Sequence, residues 1–440
     1  MRDFELKKRQ IVERVDLVAL ASEDVRMKRS GRRWVGLCPF HAEKTPSFVV
    51  SQDVGLFKCF GCGKGGDVFS YVQARENVSF MEAMRILADR AGVKLDEAPS
   101  GSSGEPDRVE LAKVNAWALT FFRSNLLNGA AGRHARAYLQ SRGISEAIAE
   151  RFNLGLATDG GQSLRDAAGR ARITFPLLHA ADLVRADGSN RVYPTFRNRL
   201  MFPIRDATGR VVGFGGRTLV GDQAKYLNTR QNALFDKGRG LYGIELARQA
   251  IAQCGRAVVV EGYTDCIAAH QAGCKETVAS LGTAMTAAQV DLLHRYSDQL
   301  ILLFDSDKAG EAAAERAIVV AVPRGVHVRL ARIPSGKDPD EFLRSAGAAG
   351  FCGLLDAAVD ALEFKWGRLQ AQFAAHASDG AHRAAHLEFL RLVGTALAGG
   401  DEIQTGLVAN RVARLVGLDG REVYRLMTRL RHNTPRSSPQ

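Results

Sequence analysis

The 440-residue chain has no apolar run that approaches the roughly 18 residues of a membrane-spanning helix, which excludes an integral helical membrane protein. Its N-terminal segment mixes acidic and basic side chains and no apolar region follows, which excludes a secretory signal. Cysteine is scarce and odd in number, at seven, and this argues against a disulfide framework. We therefore predict a soluble cytoplasmic protein that has no membrane partner.

Acidic residues are the minority charge, with 48 Asp and Glu against 60 Lys and Arg. The surplus is concentrated in residues 185–240, which contain nine arginines and two lysines against four aspartates. A solvated basic face would be spread more evenly along the chain. The concentration favours a polyanionic partner without identifying it.

Two close pairs of metal-ligating residues lie near the N-terminus, Cys38 with His41 and Cys59 with Cys62. Two residues separate the members of each pair, so one turn can present both side chains to the same ion. Zinc prefers four such thiolate and imidazole ligands. Because four protein ligands leave no open position, the predicted site is structural. It would supply folding energy to a module too small to depend on its core alone.

Aromatic and basic residues alternate through the same module, with Trp34, Phe48 and Phe57 among lysines and arginines. This pattern suits the stacking of unpaired bases beside contacts to phosphate groups. Packing in the core explains Phe48 and Phe57 equally well. The sequence therefore leaves a base-stacking role and a core role open for these two side chains.

Acidic residues follow predicted apolar strands at the points where the strands end. Glu261 follows one strand, and Asp305 and Asp307 follow another. A single acid at such a point is usually a helix cap, but ligands of open α/β sheets bind outside the carboxyl ends of the strands. Facing carboxylates repel one another, and Mg²⁺ or Mn²⁺ bound through oxygen atoms removes that repulsion. Asp338 and Asp340 follow the last predicted strand and are placed to reach the same edge.

The order of the predicted elements divides the chain into segments. Strands and helices alternate over residues 257–333, which predicts a parallel α/β sheet, and residues 355–432 are helical in pattern. We predict a multidomain α+β and α/β fold whose segments are a small zinc-binding β module at 1–96, a Gly-, Ser- and Pro-rich linker at 97–108, a mixed basic subdomain at 109–250, an acid-bearing parallel α/β subdomain at 251–345, a C-terminal helical bundle at 350–432 and a tail at 433–440.

Several separate blocks of the sequence resemble known families. The blocks from Glu261 to Asp265 and from Asp305 to Asp307 resemble the Toprim catalytic module of primases, topoisomerases and some nucleases. The blocks around both ligand pairs resemble the CHC2 zinc-binding domain of bacterial replicative primases, the DnaG family. Four more resemble the basic subdomain of that family: Asn198–Arg205, Gly213–Arg217, Lys225–Asn228 and Lys237–Tyr242. The blocks follow the family's order from about residue 5 to residue 345.

The resemblance implies a DNA primase, a DNA-dependent RNA polymerase that makes short RNA primers on single-stranded DNA by nucleotidyl transfer. It implies one structural zinc ion on Cys38, His41, Cys59 and Cys62. It implies two or more catalytic Mg²⁺ or Mn²⁺ ions on Glu261, Asp305 and Asp307, with Asp265, Asp338 and Asp340 as supporting acids. The implied contacts to nucleotide triphosphate or template are Arg199, Arg217, Lys225, Asn228 and Lys237.

The same resemblance implies the partners: single-stranded DNA template, ribonucleoside triphosphates and the primer–template hybrid at a replication fork in the nucleoid. Members of the family usually continue into a domain that docks on the replicative helicase. The chain leaves little room for that domain after residue 432, so the replicative helicase stays open as a partner but its usual docking domain is not expected here. We expect a monomer.

Two other functions stay open at this point. Another Toprim enzyme, a topoisomerase or nuclease, would carry the same acids, although a topoisomerase needs a nucleophilic tyrosine in a further large domain. A non-catalytic nucleic-acid-binding protein would keep the zinc module and the basic stretch. No G-x₄-G-K-[ST] motif is present, which excludes a helicase–primase fusion of phage type.

Overall fold

The computed structural model describes residues 2–41, 43, 45–76, 80–93, 107–188, 191–221, 224–282, 284–304, 307–333, 339–374, 379–397 and 402–432. The chain folds as two units, Met1–Glu110 and Leu111–Gln440. In the described part of the chain, no helix is long and apolar enough to cross a membrane. Most of the predicted linker and the whole predicted tail lie outside the described residues, and the finer domain boundaries stay predictions.

The first unit is a five-stranded antiparallel sheet that shares one core with four helices. Asp16 begins the second helix, because its carboxylate accepts the amide hydrogen of Val18 at 2.7 Å. The elements are α1 (Arg2–Arg14), α2 (Leu17–Ser22), β1 (Lys28–Ser30), β2 (Arg33–Gly36), β3 (Phe48–Ser51), β4 (Leu56–Cys59), β5 (Gly65–Gly66), α3 (Val68–Glu76) and α4 (Phe80–Ala91).

Phe48 and Phe57 lie in the core of this unit, 0% and 3% exposed, and pack against the rings of Phe40 and Tyr71. Their hydrophobic side chains point to the buried face of adjacent strands. The base-stacking alternative is therefore wrong for these two residues. Phe60, by contrast, is 69% exposed and is the aromatic side chain that this module presents to solvent beside the second ligand pair.

The second unit begins with helices and continues into an antiparallel sheet in the order β11-β10-β9-β6. A separate hairpin is formed by β7 and β8. The elements are α5 (Arg108–Leu127), α6 (Gly129–Ser141), α7 (Glu146–Arg151), β6 (Gly155–Ala157), α8 (Gly161–Arg170), α9 (Phe175–Ala180), β7 (Val184–Ala186), β8 (Val192–Pro194), β9 (Arg199–Arg205), β10 (Val211–Thr218) and β11 (Tyr226–Asn228).

A second sheet of this unit has the order β13-β12-β14-β15-β16, in which the first four strands are parallel and β16 is antiparallel. All of β12 and nearly all of β14 are buried, as expected for strands covered on both faces. The elements are α10 (Ile244–Cys254), β12 (Ala257–Val260), α11 (Tyr263–Gln271), β13 (Thr277–Ala279), α12 (Ala287–His294), β14 (Gln299–Phe304), α13 (Asp307–Val320), β15 (His327–Arg332), α14 (Pro339–Asp356) and β16 (Val359–Asp360).

Four helices complete the unit and share a core with one face of the parallel sheet. They are α15 (Ala361–Ala374), α16 (Asp379–Ala396), α17 (Glu402–Val416) and α18 (Gly420–His432). The predicted fold class is confirmed, with a zinc-type β module, a mixed subdomain, a parallel α/β sheet and C-terminal helices.

Several short elements were not predicted, and three of them show the physical reasons. The strand β1 is exposed at every residue, so it has no alternating apolar pattern to find. The edge strand β16 has two residues, below the length that any periodicity can mark. Helix α9 lies within residues 173–218, which the sequence pattern predicts as mixed and largely β. The local mark of its start is Thr174 followed by Pro176.

Candidate functional site

The four predicted zinc ligands come together in the first unit. One ligand atom from each of Cys38, His41, Cys59 and Cys62 lies within 4.8 Å of the other three. Cys38 lies in the loop after β2 and Cys59 is the last residue of β4, so the fold brings the two sequence-distant pairs to one end of the sheet. Three thiols and one imidazole with this spacing fit a single four-coordinate zinc ion in a structural role.

Glu43 organises the turn that carries these ligands. Its carboxylate accepts the amide hydrogens of Cys38 at 2.7 Å and Ser47 at 3.0 Å, and it also accepts the Ser47 hydroxyl. Its other contact is to Nε2 of His41 at 3.2 Å, while Nδ1 of the same ring lies 3.7 Å from Sγ of Cys59. The imidazole thus presents Nδ1 to the ligand cluster and Nε2 to a carboxylate, the arrangement that fixes a histidine ligand on zinc.

The thiols differ in how readily they ionise. Burial opposes ionisation of Cys59, but hydrogen bonds from the Cys62 amide and the Ser47 hydroxyl outweigh it and lower the pKa of Cys59. Burial raises the pKa of Cys38 well above its ordinary value. Binding of a divalent cation is what allows both to stand as thiolates side by side.

The acidic edge of the second unit is set by two neighbouring strands. β12 and β14 pair in parallel, with Val259 opposite Leu302, so both strands end at the same edge of the sheet. Glu261 follows β12 directly and is exposed there. Asp305 lies outside the described residues. Asp307 begins α13, and the structure describes its backbone but not its side chain. Its part in a metal site therefore stays a prediction.

Two of the predicted supporting acids already have partners. Asp265 is 9% exposed and its carboxylate accepts the amide hydrogen of Gly262 at 3.1 Å, which caps its own helix α11. A Cβ at Gly262 would lie 2.6 Å from that carboxylate, so a larger residue there would displace the cap. Asp340 is 5% exposed, with Oδ2 lying 3.2 Å from Nη2 of Arg344 and 4.0 Å from Nη1 of Arg142. Asp338 lies outside the described residues.

Three of the predicted basic contacts differ sharply in exposure. Arg199 is 4% exposed and its Nη1 donates to the carbonyls of Gly216 at 3.0 Å and Ala224 at 2.9 Å. This guanidinium holds the antiparallel sheet together, so a contact to nucleotide stays a prediction that the placement does not favour. Lys225 is exposed at the start of β11, and Lys237 is half-buried in the loop before α10.

Arg217 and Asn228 lie on adjacent strands of the antiparallel sheet. Nη1 of Arg217 donates to the hydroxyl of Tyr226 at 3.0 Å. Asn228 accepts the Tyr263 hydroxyl at 2.7 Å and donates to the carbonyl of Leu281 at 3.2 Å. Tyr263, two residues after Glu261, is therefore hydrogen-bonded to the basic sheet. This bond connects the segment of the predicted acidic site with the predicted basic site.

Three residues of the site were missed by the sequence reasoning: Glu43, Tyr138 and Arg142. Glu43 follows His41 by two positions and has no signal of its own beyond that spacing. Tyr138 and Arg142 are four residues apart at the end of α6, a spacing that places them on one helix face. That spacing was visible in the sequence, but nothing there connects it with acids two hundred residues away.

Family comparisons match most of the chain in three successive blocks. Residues 6–102 match the CHC2 zinc finger, residues 121–248 match the N-terminal domain of the DNA primase catalytic core, and residues 258–343 match a Toprim-like domain. Their order along the chain is the order of the zinc module, the basic sheet and the acidic edge.

Curated relatives include two proteins named DNA primase. The protein of Deinococcus radiodurans is 43% identical over 349 residues, 79% of this chain and 60% of the relative. That of Clostridium acetobutylicum is 40% identical over 356 residues, 80% of this chain and 59% of the relative. The matched part of the chain thus spans about 60% of the length of these relatives.

Solved structures show the same similarity in three dimensions. The zinc-binding and RNA polymerase domains of the Aquifex aeolicus primase superpose with a TM-score of 0.63 at 30% identity, covering 95% of this chain and 98% of that one. A DnaG primase catalytic domain bound to single-stranded DNA gives a TM-score of 0.62 at 33% identity, covering 70% of this chain and 98% of that one.

Proposed function

Because this chain belongs to the DnaG family of bacterial primases, we propose that it is a DNA primase, a DNA-dependent RNA polymerase that makes short RNA primers on single-stranded DNA. The observation that carries this proposal is the edge formed by β12 and β14, where Glu261 and two aspartates follow neighbouring parallel strands in the same unit as a basic sheet. The DNA-bound relative supports single-stranded DNA as the template.

The donor set at this edge fits Mg²⁺ or Mn²⁺, because Glu261, Asp305 and Asp307 offer only carboxylate oxygens and the described one, Glu261, is exposed. When bound, the cations would make a 3′-hydroxyl more acidic and neutralise charge on the pyrophosphate leaving group. Arg217, Lys225 and Lys237 then have the task of holding triphosphate or template phosphates against the acids. Phe60, exposed in the zinc module, is suited to stack on an unpaired template base.

Primer synthesis by the purified chain tests the proposal. A single-stranded DNA template, labelled ribonucleotides and MgCl₂ should yield short products that ribonuclease destroys. Asp307→Asn should reduce the rate on the order of thousands-fold, because it removes one charge from the metal-binding edge. Asp159→Asn, an exposed aspartate in the loop before α8, is the matched control and should leave the rate unchanged.

Other outcomes identify the alternatives. Cleavage or relaxation of DNA without primer synthesis would make the chain another Toprim enzyme. DNA binding without any reaction would favour a non-catalytic protein. A rate for Asp307→Asn within about tenfold of wild type would contradict the metal role of that residue.

A further inference from the structure

Tyr138, on the last turn of α6, lies between two guanidinium groups. Its ring centroid is 5.5 Å from Cζ of Arg217 and 5.7 Å from Cζ of Arg142. Arg217 is also 5.5 Å from the ring centroid of Tyr226, so it is held between two aromatic rings. Each distance is within the range in which a cation is attracted to the face of a ring.

This aromatic setting matters because Arg217 is 7% exposed. Among the described side chains no carboxylate forms an ion pair with it, and its neighbours are the two rings and the Tyr226 hydroxyl. A buried cation that is oriented by ring faces keeps its charge and several donor hydrogens for an anionic ligand. A carboxylate in the same place would have neutralised it.

Tyr138 also connects this cation with the acidic edge. Arg142 lies four residues further along the chain, against the same ring, and its Nη1 is 4.0 Å from Oδ2 of Asp340 in the first turn of α14. The ring of Tyr138 thus contacts both Arg217 of the basic sheet and Arg142, whose guanidinium faces Asp340. Its position is fixed by α6, an element that belongs to neither sheet.

The hydroxyl of Tyr138 is buried and has no hydrogen-bond partner among the described residues. A buried hydroxyl with a structural task is normally paired. The part of this side chain that the protein uses is therefore the ring, and phenylalanine should replace it without loss.

We propose that Tyr138 is a positioning residue, whose ring orients Arg217 toward the phosphates of the incoming nucleotide and holds Arg142 against Asp340. This inference rests on the proposed function for its reaction. Without the ring, the Arg217 guanidinium gains rotational freedom. The protein then binds a nucleotide triphosphate more weakly, while the chemical step is nearly unchanged.

The test compares Tyr138→Met and Tyr138→Leu, which remove the ring, with Tyr138→Phe, which keeps it. Tyr193→Met, a half-buried tyrosine of the β7–β8 hairpin, is the matched control. We expect the ring-deleting variants to raise KM for ATP about five- to thirtyfold, the range of a single cation–ring contact from partly exposed to desolvated, with kcat within about threefold of wild type. Tyr138→Phe and Tyr193→Met should keep the wild-type KM.

Calorimetric titration of the full chain with ATP and Mg²⁺ measures binding independently of turnover. If the wild type makes no primer, the proposed function has failed, and this titration on the same variants still decides the inference. Loss of binding in Tyr138→Phe equal to that in Tyr138→Met would assign the effect to the hydroxyl and overturn the proposal. Unchanged binding in both ring-deleting variants would overturn it as well, and so would an equal loss in Tyr193→Met.

Discussion

At the scale of single residues, the carboxylate of Glu43 is the contact that aligns His41 with the zinc ligands. Glu43→Gln keeps the shape of the side chain but removes the charge that faces Nε2 of the imidazole. We expect the affinity of the chain for zinc to fall about 10- to 100-fold, the usual effect of removing such a partner. Competition with a chelating dye measures it. Glu13→Gln, an exposed glutamate of α1, should leave the affinity unchanged, and an equal fall in both variants would contradict the assignment.

A second residue, Glu245 in α10, predicts a pH dependence. Its Oε2 is buried without a hydrogen-bond partner among the described residues, and Nε of Arg205 is 3.9 Å from Oε1. Burial raises the pKa of Glu245 from 4.5 to about 7. Because the folded state binds this proton more tightly than the unfolded state, the resulting stabilisation is complete below the unfolded pKa and is lost as the pH rises through about 7.

Glu245→Gln removes this titration. We expect the free energy of unfolding of the variant, relative to wild type, to rise by up to about 3 kcal/mol between about pH 5 and pH 8. Denaturant titrations at both pH values measure the difference. Glu388→Gln, an exposed glutamate in the middle of α16, should show no such trend. A relative stability of Glu245→Gln that stays constant with pH would show that the carboxyl is not desolvated.

At the scale of elements, the N-terminus of α12 does more than begin a helix. Thr286 and Gln289 form a capping box, and the same two side chains donate to the carbonyls of Gly238 and Gly240 in the loop that carries Lys237. The cap of one helix therefore fixes the loop of a predicted phosphate-binding lysine. Gln289 is fully buried, so its amide has no water to replace these partners.

Gln289→Leu should release that loop. We expect the free energy of unfolding to fall by about 1–3 kcal/mol, the effect of leaving buried partners unpaired, and the amides of residues 236–240 to exchange faster with solvent. Denaturant titration and hydrogen exchange measure the two effects. Gln140→Leu, at an exposed position of α6, is the control. If exchange became faster without lower stability, or stability fell without faster exchange, the result would contradict the claim that the helix cap fixes the loop.

The sequence predicted the elements whose local signals agree with their packing. Strand β14 and helix α12 both lie within residues 257–333, where alternating strands and helices were predicted. An unbroken apolar run marks β14, and Thr286 caps α12. The zinc ligands were predicted by their spacing, and the four side chains lie together in the structure. The role of Arg199 could not be predicted. The sequence shows a positive charge, but it does not show that the guanidinium already donates to backbone carbonyls. The position of the Tyr138 ring between Arg217 and Arg142 could not be predicted either, because it depends on segments that are distant in sequence.

At the scale of the whole molecule, the two units differ in what holds them together. The first has a small core and one metal site, whereas the second has two large cores of its own. We expect removal of zinc by a strong chelator, or Cys59→Ala, to unfold residues 30–65 and to leave the second unit folded. Hydrogen exchange along the chain measures this. Cys254→Ala, an exposed cysteine, should change neither unit, and loss of structure in both units after chelation would contradict the prediction.

The position of β12 and β14 within their sheet determines how often their backbone opens to solvent. Each has a parallel neighbour on both sides, while β16 forms the edge with two residues. Interior strands open only with the whole unit, whereas edges and terminal helices open by themselves and far more often. The acids that follow β12 and β14 are therefore attached to interior strands, which open less often than edges and terminal helices. Repeated opening of α18 or β16 over the lifetime of the protein therefore leaves strand β12, and the backbone position of Glu261 that follows it, in place.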